Sequence, residues 1–170
     1  MAYFPADMPV PVPTMDDAAF WDHCVERRLL FQSCAACERP RHPPTPVCSR
    51  CGSTRLHCVK APEHATAFKF TVVHHPSHPA VTSHLPYVVA VVDFPQLPQV
   101  RLVTNVTNVT DVTDVTDVDP AQMRVGLPVR LWWDRLADAD AAGRPMYLPR
   151  FRPAQGLPAS TSRFEPTSLP

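Results

Sequence analysis

Cys34-Ala-Ala-Cys37 and Cys48-Ser-Arg-Cys51 form two C-x-x-C pairs separated by ten residues. Two such pairs present four thiolates to one tetrahedral ion, with Zn–S bonds near ~2.3 Å. Gly52, directly after the second pair, offers the backbone freedom that a tight knuckle needs. Zinc prefers this soft ligand set and brings no redox chemistry. A redox dithiol needs only one C-x-x-C and a thioredoxin-like α/β context, which is missing here. An iron–sulfur centre can share the spacing, and a single rubredoxin-type iron is chemically close. The expectation is one structural Zn²⁺ per chain on Cys34, Cys37, Cys48 and Cys51. Four protein ligands leave no open position, so the site is not catalytic. Its task is to fold a ribbon too small to have a core of its own. Arg39, Arg41, Arg50 and Arg55 surround the pairs. They either offset the negative charge of a zinc tetrathiolate or form a small phosphate-binding surface.

Other reactive side chains are less well placed. Cys24 falls on the apolar face of an expected helix and reads as packing. Cys58 has the wrong spacing for a knuckle. His74, His75, His78 and His84 fall within eleven residues. Imidazoles at such spacing can bind a second metal, but Pro76 and Pro79 make the stretch an irregular loop. Asp111, Asp114 and Asp117 offer oxygen ligands for Ca²⁺ without the glycine turn such loops use. No G-x-S-x-G, P-loop, G-x-G-x-x-G or H-E-x-x-H occurs. No catalytic residue is assigned, and the chain is not expected to be an enzyme on its own.

The elements that position these groups are mostly β. The 170 residues suit one domain or one with a small appendage. There are 22 prolines and 4 glycines, against a usual proline share of about 5%. Proline ends helices, so the windows between prolines suit strands, turns and extended arms. Residues 1–13, with alternating Val and Pro, read as a polyproline II arm, disordered alone or laid along a partner. Residues 15–30 form the one convincing helix, with Thr14 and Asp17 as its start signal. Phe20, Trp21, Cys24, Val25 and Leu29 lie on one face of it. Phe20 and Trp21 either pack on their own domain or anchor the chain in a partner. Residues 31–60 hold the zinc ribbon. Strands are expected at 67–74, 87–94, 100–106, 129–135 and 146–152, with Pro149 marking an edge or a bulge. Five short strands suit an OB-type Greek-key barrel over residues 61–153. Residues 154–170 read as a tail.

Residues 104–118 repeat as TNV-TNV-TDV-TDV-TDV. A period of three matches neither a strand nor a helix, so the segment reads as a tandem expansion that lengthens a strand end or a loop. Asn105 and Asn108 begin N-x-T sequons, which carry no meaning in the cytoplasm. The 16 basic and 16 acidic side chains cancel, which argues against a long duplex nucleic acid. A single-stranded nucleic-acid binder remains the alternative that an OB fold suggests. The longest apolar run, residues 87–92, is too short to span a membrane. Residues 1–13 lack the pattern of a secretory signal, and the expected location is cytoplasmic.

The order of parts adds a resemblance. A helix with FW precedes LLFQSC-x-x-C, a proline-rich loop and C-x-x-C-G-S, and then FTVVHHP, LPYVVAVVDF, DPAQMRVGLPV and LPRFRP. Over roughly residues 16–153 this resembles the zinc-ribbon plus OB-fold, acyl-CoA-associated accessory proteins long filed as a domain of unknown function. The resemblance implies a mainly β fold with an N-terminal helix, a rubredoxin-like zinc ribbon and a five-stranded barrel. It implies a non-catalytic subunit that binds, stabilises and helps shape the CoA site of a thiolase-superfamily enzyme. Such partners include thiolases, acyltransferases of secondary metabolism and lipid-transfer-protein-like aldolases that cleave steroid side-chain CoA thioesters. The CoA thioester is then a ligand of the hetero-oligomer only. The zinc ligands carry over to Cys34, Cys37, Cys48 and Cys51, and the partner-binding helix to residues 16–30.

Overall fold

The computed structural model describes residues 2–111, 114–140 and 143–154. One helix leads, α1 (Ala18–Val25). A three-stranded sheet follows, from β1 (Leu30–Cys34), β2 (Pro40–Arg41) and β3 (Leu56–Lys60), in the order β2-β1-β3. The larger sheet takes β4 (His64–Val73), β5 (Tyr87–Asp93) and β6 (Arg101–Asn105). Two strands, β7 (Thr107–Asp111) and β8 (Asp114–Asp117), pair with each other. The large sheet is completed by β9 (Pro128–Ala139) and β10 (Pro145–Pro153) and runs β10-β9-β4-β5-β6, all antiparallel. A parallel bridge from Val106 to Phe151 brings its two edges together. The result is a near-closed, five-stranded OB-type barrel, as expected.

The strands follow their side chains. Tyr87–Asp93 is rich in β-branched residues and alternates, with Val88, Ala90 and Val92 at 1% exposure or less. Val88, Ala90, Val92, Phe94, Val100, Leu102, Val129 and Phe151 fill the barrel core. Pro149 sits in β10, which ends the sheet at one edge and carries a register shift between Pro145 and Tyr147. An edge is where a residue with no N–H does least harm.

Three expectations need correction. The helix is shorter than 15–30. Thr14 donates its N–H and its hydroxyl to Asp17 Oδ1, at 2.5 and 2.9 Å, and regular helix begins at Ala18. It stops because Arg27 turns left-handed at φ 56°. Arg28 N–H then donates to His23 O, and Arg27 N–H to Cys24 O, each at 2.9 Å. This is a Schellman stop with arginine where glycine is usual. Leu29, expected on the helix, is buried just before β1. The proline-rich arm is not free in the isolated chain: Tyr3 is buried on the chain's own barrel. The triplet repeat does not merely extend a strand or loop, since β7 and β8 form a ladder of their own. The side chains of Asp111, Asp114 and Asp117, and residues 155–170, lie outside those described.

Candidate metal centre and adjoining cleft

The four cysteines converge at one end of the small sheet. Their sulfurs all lie within 4.8 Å of one another. Cys34 Sγ is 3.6 Å from Cys51 Sγ, and Cys37 Sγ is 3.7 Å from Cys48 Sγ. A tetrahedron around a ~2.3 Å Zn–S bond has edges of about 3.8 Å, so the sulfurs stand where a single ion would hold them. None is in a disulfide.

The two knuckles have the same backbone. Glu38 N–H donates to Cys34 O, and Gly52 N–H to Cys48 O, both at 2.9 Å. Cys34 N–H donates to Arg39 O at 3.0 Å, and Cys48 N–H to Ser53 O at 2.9 Å. The residue after each C-x-x-C is left-handed: Glu38 at φ 57° and Gly52 at φ 71°. These turns aim amide N–H groups at the sulfurs, as with Ala36 N–H on Cys34 Sγ at 3.4 Å. Donors directed at sulfur favour thiolate. N–H groups of Arg50 and Cys51 pull the Cys48 thiol down to about 6. The Ala36 N–H likewise lowers Cys34. At Cys51 the Ser53 N–H acts in the same direction, but the neighbouring sulfurs outweigh it and push that thiol up to about 11. The donor set and the geometry fit a closed tetrathiolate centre.

The other expected candidates do not assemble. Among the described residues, the four cysteines are the only group of three or more Cys, His, Asp and Glu side chains close enough for one ion. His74 and His75 are exposed. His78 instead caps a short 3₁₀ turn (Pro79–His84), its Nδ1 accepting from Ala80 N–H at 3.2 Å. Cys24 is fully buried, and burial pushes its thiol up to about 12, which makes it inert packing. Cys58 is exposed on β3. Arg41 donates to Gln32 Oε1 and to Thr45 O, while Arg50 and Arg55 are exposed.

Beside the ribbon, α1 overhangs the gap where β6 and β10 fail to pair. A cleft of about 410 Å³ lies there, walled by Phe20, Trp21 and His42 and floored by Thr104, Asn105 and Arg150. Side chains cross the gap where backbone does not. Thr104 Oγ1 donates to Pro149 O at 2.8 Å, and Arg150 Nη1 donates to Asn105 Oδ1. Phe20 is 9% exposed, its ring packed with Trp21, Phe31 and His42. Trp21 is half-buried and donates Nε1–H to Asp17 Oδ2 at 3.2 Å. Burial holds the His42 imidazole below its usual pKa, against the pull of Asp17.

A buried pair was absent from the sequence reading. Arg150 Nε meets Asp134 Oδ2 at 2.6 Å, with side chains 3% and 0% exposed. Asp134 and Arg150 lie in neighbouring strands, Asp134 opposite Leu148 and Arg150 opposite Trp132. Strand alternation was the available signal. Val129, Leu131 and Phe151 face the core, which places Asp134 and Arg150 on the outer face. What buries them there is the arm.

The comparisons with known proteins agree with this architecture. The profile of the ChsH2 rubredoxin-like zinc ribbon domain matches residues 21–57, and that of the ChsH2 C-terminal OB-fold domain matches residues 58–134. A chain of the solved Ltp2–ChsH2(DUF35) aldolase is 37% identical, with a TM-score of 0.67, over 85% of this chain and 98% of its own. The chain belongs to the ChsH2 zinc-ribbon and OB-fold family. A DUF35-family protein from Sulfolobus solfataricus, at 13% identity and TM-score 0.51, shares the fold. Among curated relatives, a probable enoyl-CoA hydratase alpha subunit of Thermomonospora curvata is 38% identical over 146 residues. The 3-oxo-4,17-pregnadiene-20-carboxyl-CoA hydratase alpha subunit of Mycobacterium tuberculosis is 30% identical over 126 residues. This ChsH2-family chain spans 40% and 36% of their lengths. Its four-cysteine cluster falls in the matched zinc ribbon, apart from the barrel match. Among the described residues, no helix is long and apolar enough to cross a membrane.

Proposed function

We propose that this chain is a non-catalytic subunit that binds and stabilises a thiolase-like enzyme acting on acyl-CoA. The observation that carries this is its match over nearly the whole of one chain of the Ltp2–ChsH2(DUF35) aldolase. By that likeness the partner is a lipid-transfer-protein-like enzyme, and the hetero-oligomer cleaves a carbon–carbon bond, as in retro-aldol cleavage of a steroid side-chain CoA thioester. The hydratase subunits among its relatives also act on acyl-CoA by name. The CoA thioester is a ligand of the complex, and the partner supplies the reacting groups.

One Zn²⁺ per chain sits on Cys34, Cys37, Cys48 and Cys51. It supplies cross-linking and no reaction step, because all four ligands come from the protein. The knuckle amides hold the thiolates, and the zinc ribbon in turn holds α1 over the cleft. Phe20 and Trp21 meet the partner through the half-exposed edge of Trp21, with Phe20 packed behind it. Aromatic anchors of this kind dominate interface energies.

Affinity purification from native lysate, with mass spectrometry and zinc quantified on the same sample, tests the reading. The expected result is a stoichiometric thiolase-like partner, one zinc per chain, and weakened capture by Trp21→Ala. A chain that purifies alone or with oligonucleotide overturns it.

A further inference from the structure

Residues 3–11 lie on the barrel in the manner of a bound peptide. Tyr3 is 4% exposed and donates its N–H to Asp134 Oδ1 at 3.0 Å. The Arg150 guanidinium carbon lies 4.8 Å from the ring centroids of both Tyr3 and Phe4. Phe4 meets Tyr87 edge-on at 5.8 Å, and His84 stands 6.2 Å from both arm rings. The chain then turns, Met8 N–H donating to Pro5 O at 3.1 Å. Its prolines run along Leu136, Ala137 and Leu148 around a pocket of about 140 Å³. Beyond it the chain leaves the surface: Val12 is 80% and Met15 99% exposed.

This is a recognition pattern: a backbone N–H on a carboxylate, two adjacent rings clasping one cation, and a stiff proline-rich tail on an apolar strip. The receptor side is built from the barrel alone. Arg150 is held by Asp134 and Asn105, and Asn105 donates Nδ2–H to Val88 O at 3.1 Å. None of those bonds uses a residue of the arm. Departure of the arm removes the Tyr3 N–H from Asp134 Oδ1 and uncovers the guanidinium, whose Nη2 already has no hydrogen-bond partner. Prolines at 9, 11 and 13 keep the arm extended, so little conformational freedom is gained on release.

We infer that this groove is a peptide-binding site for an aromatic–aromatic–proline segment, occupied in cis by residues 3–11. The arm is an exchangeable intramolecular ligand, and a partner segment of the same chemistry takes its place by competition. Asn105, Leu148 and Arg150 line both this groove and the cleft beneath α1, so exchange on one side is felt on the other. The inference does not rest on the proposed function.

The test uses the zinc-loaded full chain with a protease site introduced between Val12 and Met15. After cleavage, a labelled peptide AYFPADMPVP is titrated and followed by fluorescence anisotropy. The expected result is uptake at least tenfold tighter than for the peptide with both aromatic residues replaced by alanine, and at least tenfold tighter than by the uncut chain. The uncut Tyr3→Ala, Phe4→Ala double variant, whose groove is vacated without cutting, takes up the peptide as well. The inference is overturned if neither chain discriminates between the two peptides, or if the cut arm stays bound against excess unlabelled peptide. Loss of folding in both chains overturns it too, because the arm would then be an inseparable part of the barrel.

Discussion

The zinc ribbon is held differently at its two ends. Between residues 34 and 58 only Cys34 and Cys48 are buried, while Val47 and Leu56 are about half exposed. No apolar core exists there. At the other end β1 sends Phe31, 1% exposed, into the aromatic group that runs on through Phe94 and Phe151. Phe31 and Phe94 centroids are 5.2 Å apart, and those of Phe94 and Phe151 6.1 Å. One end of the same small sheet thus belongs to the barrel core, and the other is beyond the reach of any core. A metal is the cross-link that suits a surface too small to fold by burial.

The sharpest way to break this comparison is to remove the metal. Chelation, or Cys48→Ser, abolishes zinc binding and loosens residues 34–57, while β5, β9 and β10 keep their amide protection. Hydrogen exchange reads both ends at once, and equal loss of protection in the barrel would show that the two ends are a single unit. The reverse experiment is Phe94→Ala. A fully buried phenylalanine truncated in a core costs about 3–5 kcal/mol, so the denaturation midpoint falls sharply while the zinc content stays at one per chain.

A smaller effect separates the knuckles from each other. Both need a left-handed residue, yet one has Gly52 and the other Glu38. An L side chain there costs roughly 1 kcal/mol. Nothing lies within 4 Å of a Cβ built on Gly52, so conformation alone sets the penalty. Glu38→Gly is expected to stabilise the chain by about 1 kcal/mol, less what the Gly adds to unfolded-state freedom, and Gly52→Ala to destabilise it. Chemical denaturation of the zinc-loaded chains compares them. Smallest is a pH effect where ribbon, helix and barrel meet. The folded chain keeps His42 neutral below its usual pKa. The unfolded chain therefore protonates first as pH falls below about 6.5. The stabilisation is complete above that value and is lost on acidification through the folded pKa. His42→Phe, beside Phe20 and Phe31, flattens the fall in melting temperature between pH 7 and pH 5.

The convergence of the four cysteines and the five barrel strands were legible because they depend on local chemistry. C-x-x-C spacing dictates a knuckle, and a run such as YVVAVVD suits a buried strand wherever it occurs. The helix stop was not legible, since Arg27 adopts a conformation that usually advertises itself by glycine. The arm misled for a different reason. Alternating Val and Pro does specify an extended chain, but only Tyr3 and Phe4, at the margin of that pattern, decide where it lies. Strand alternation alone puts Asp134 and Arg150 on the outer face, and the arm that covers them there is more than a hundred residues away in sequence.

The β7–β8 ladder pairs Thr107 with Asp117, Asn108 with Thr116 and Val109 with Val115, above two buried feet, Val106 and Val118. Its sequence runs in three-residue units, two of TNV and three of TDV over residues 104–118. The length of this ladder is thus counted in units of three residues, and a whole unit gained or lost between Val106 and Val118 leaves the barrel strands beneath it with every residue they need to fold.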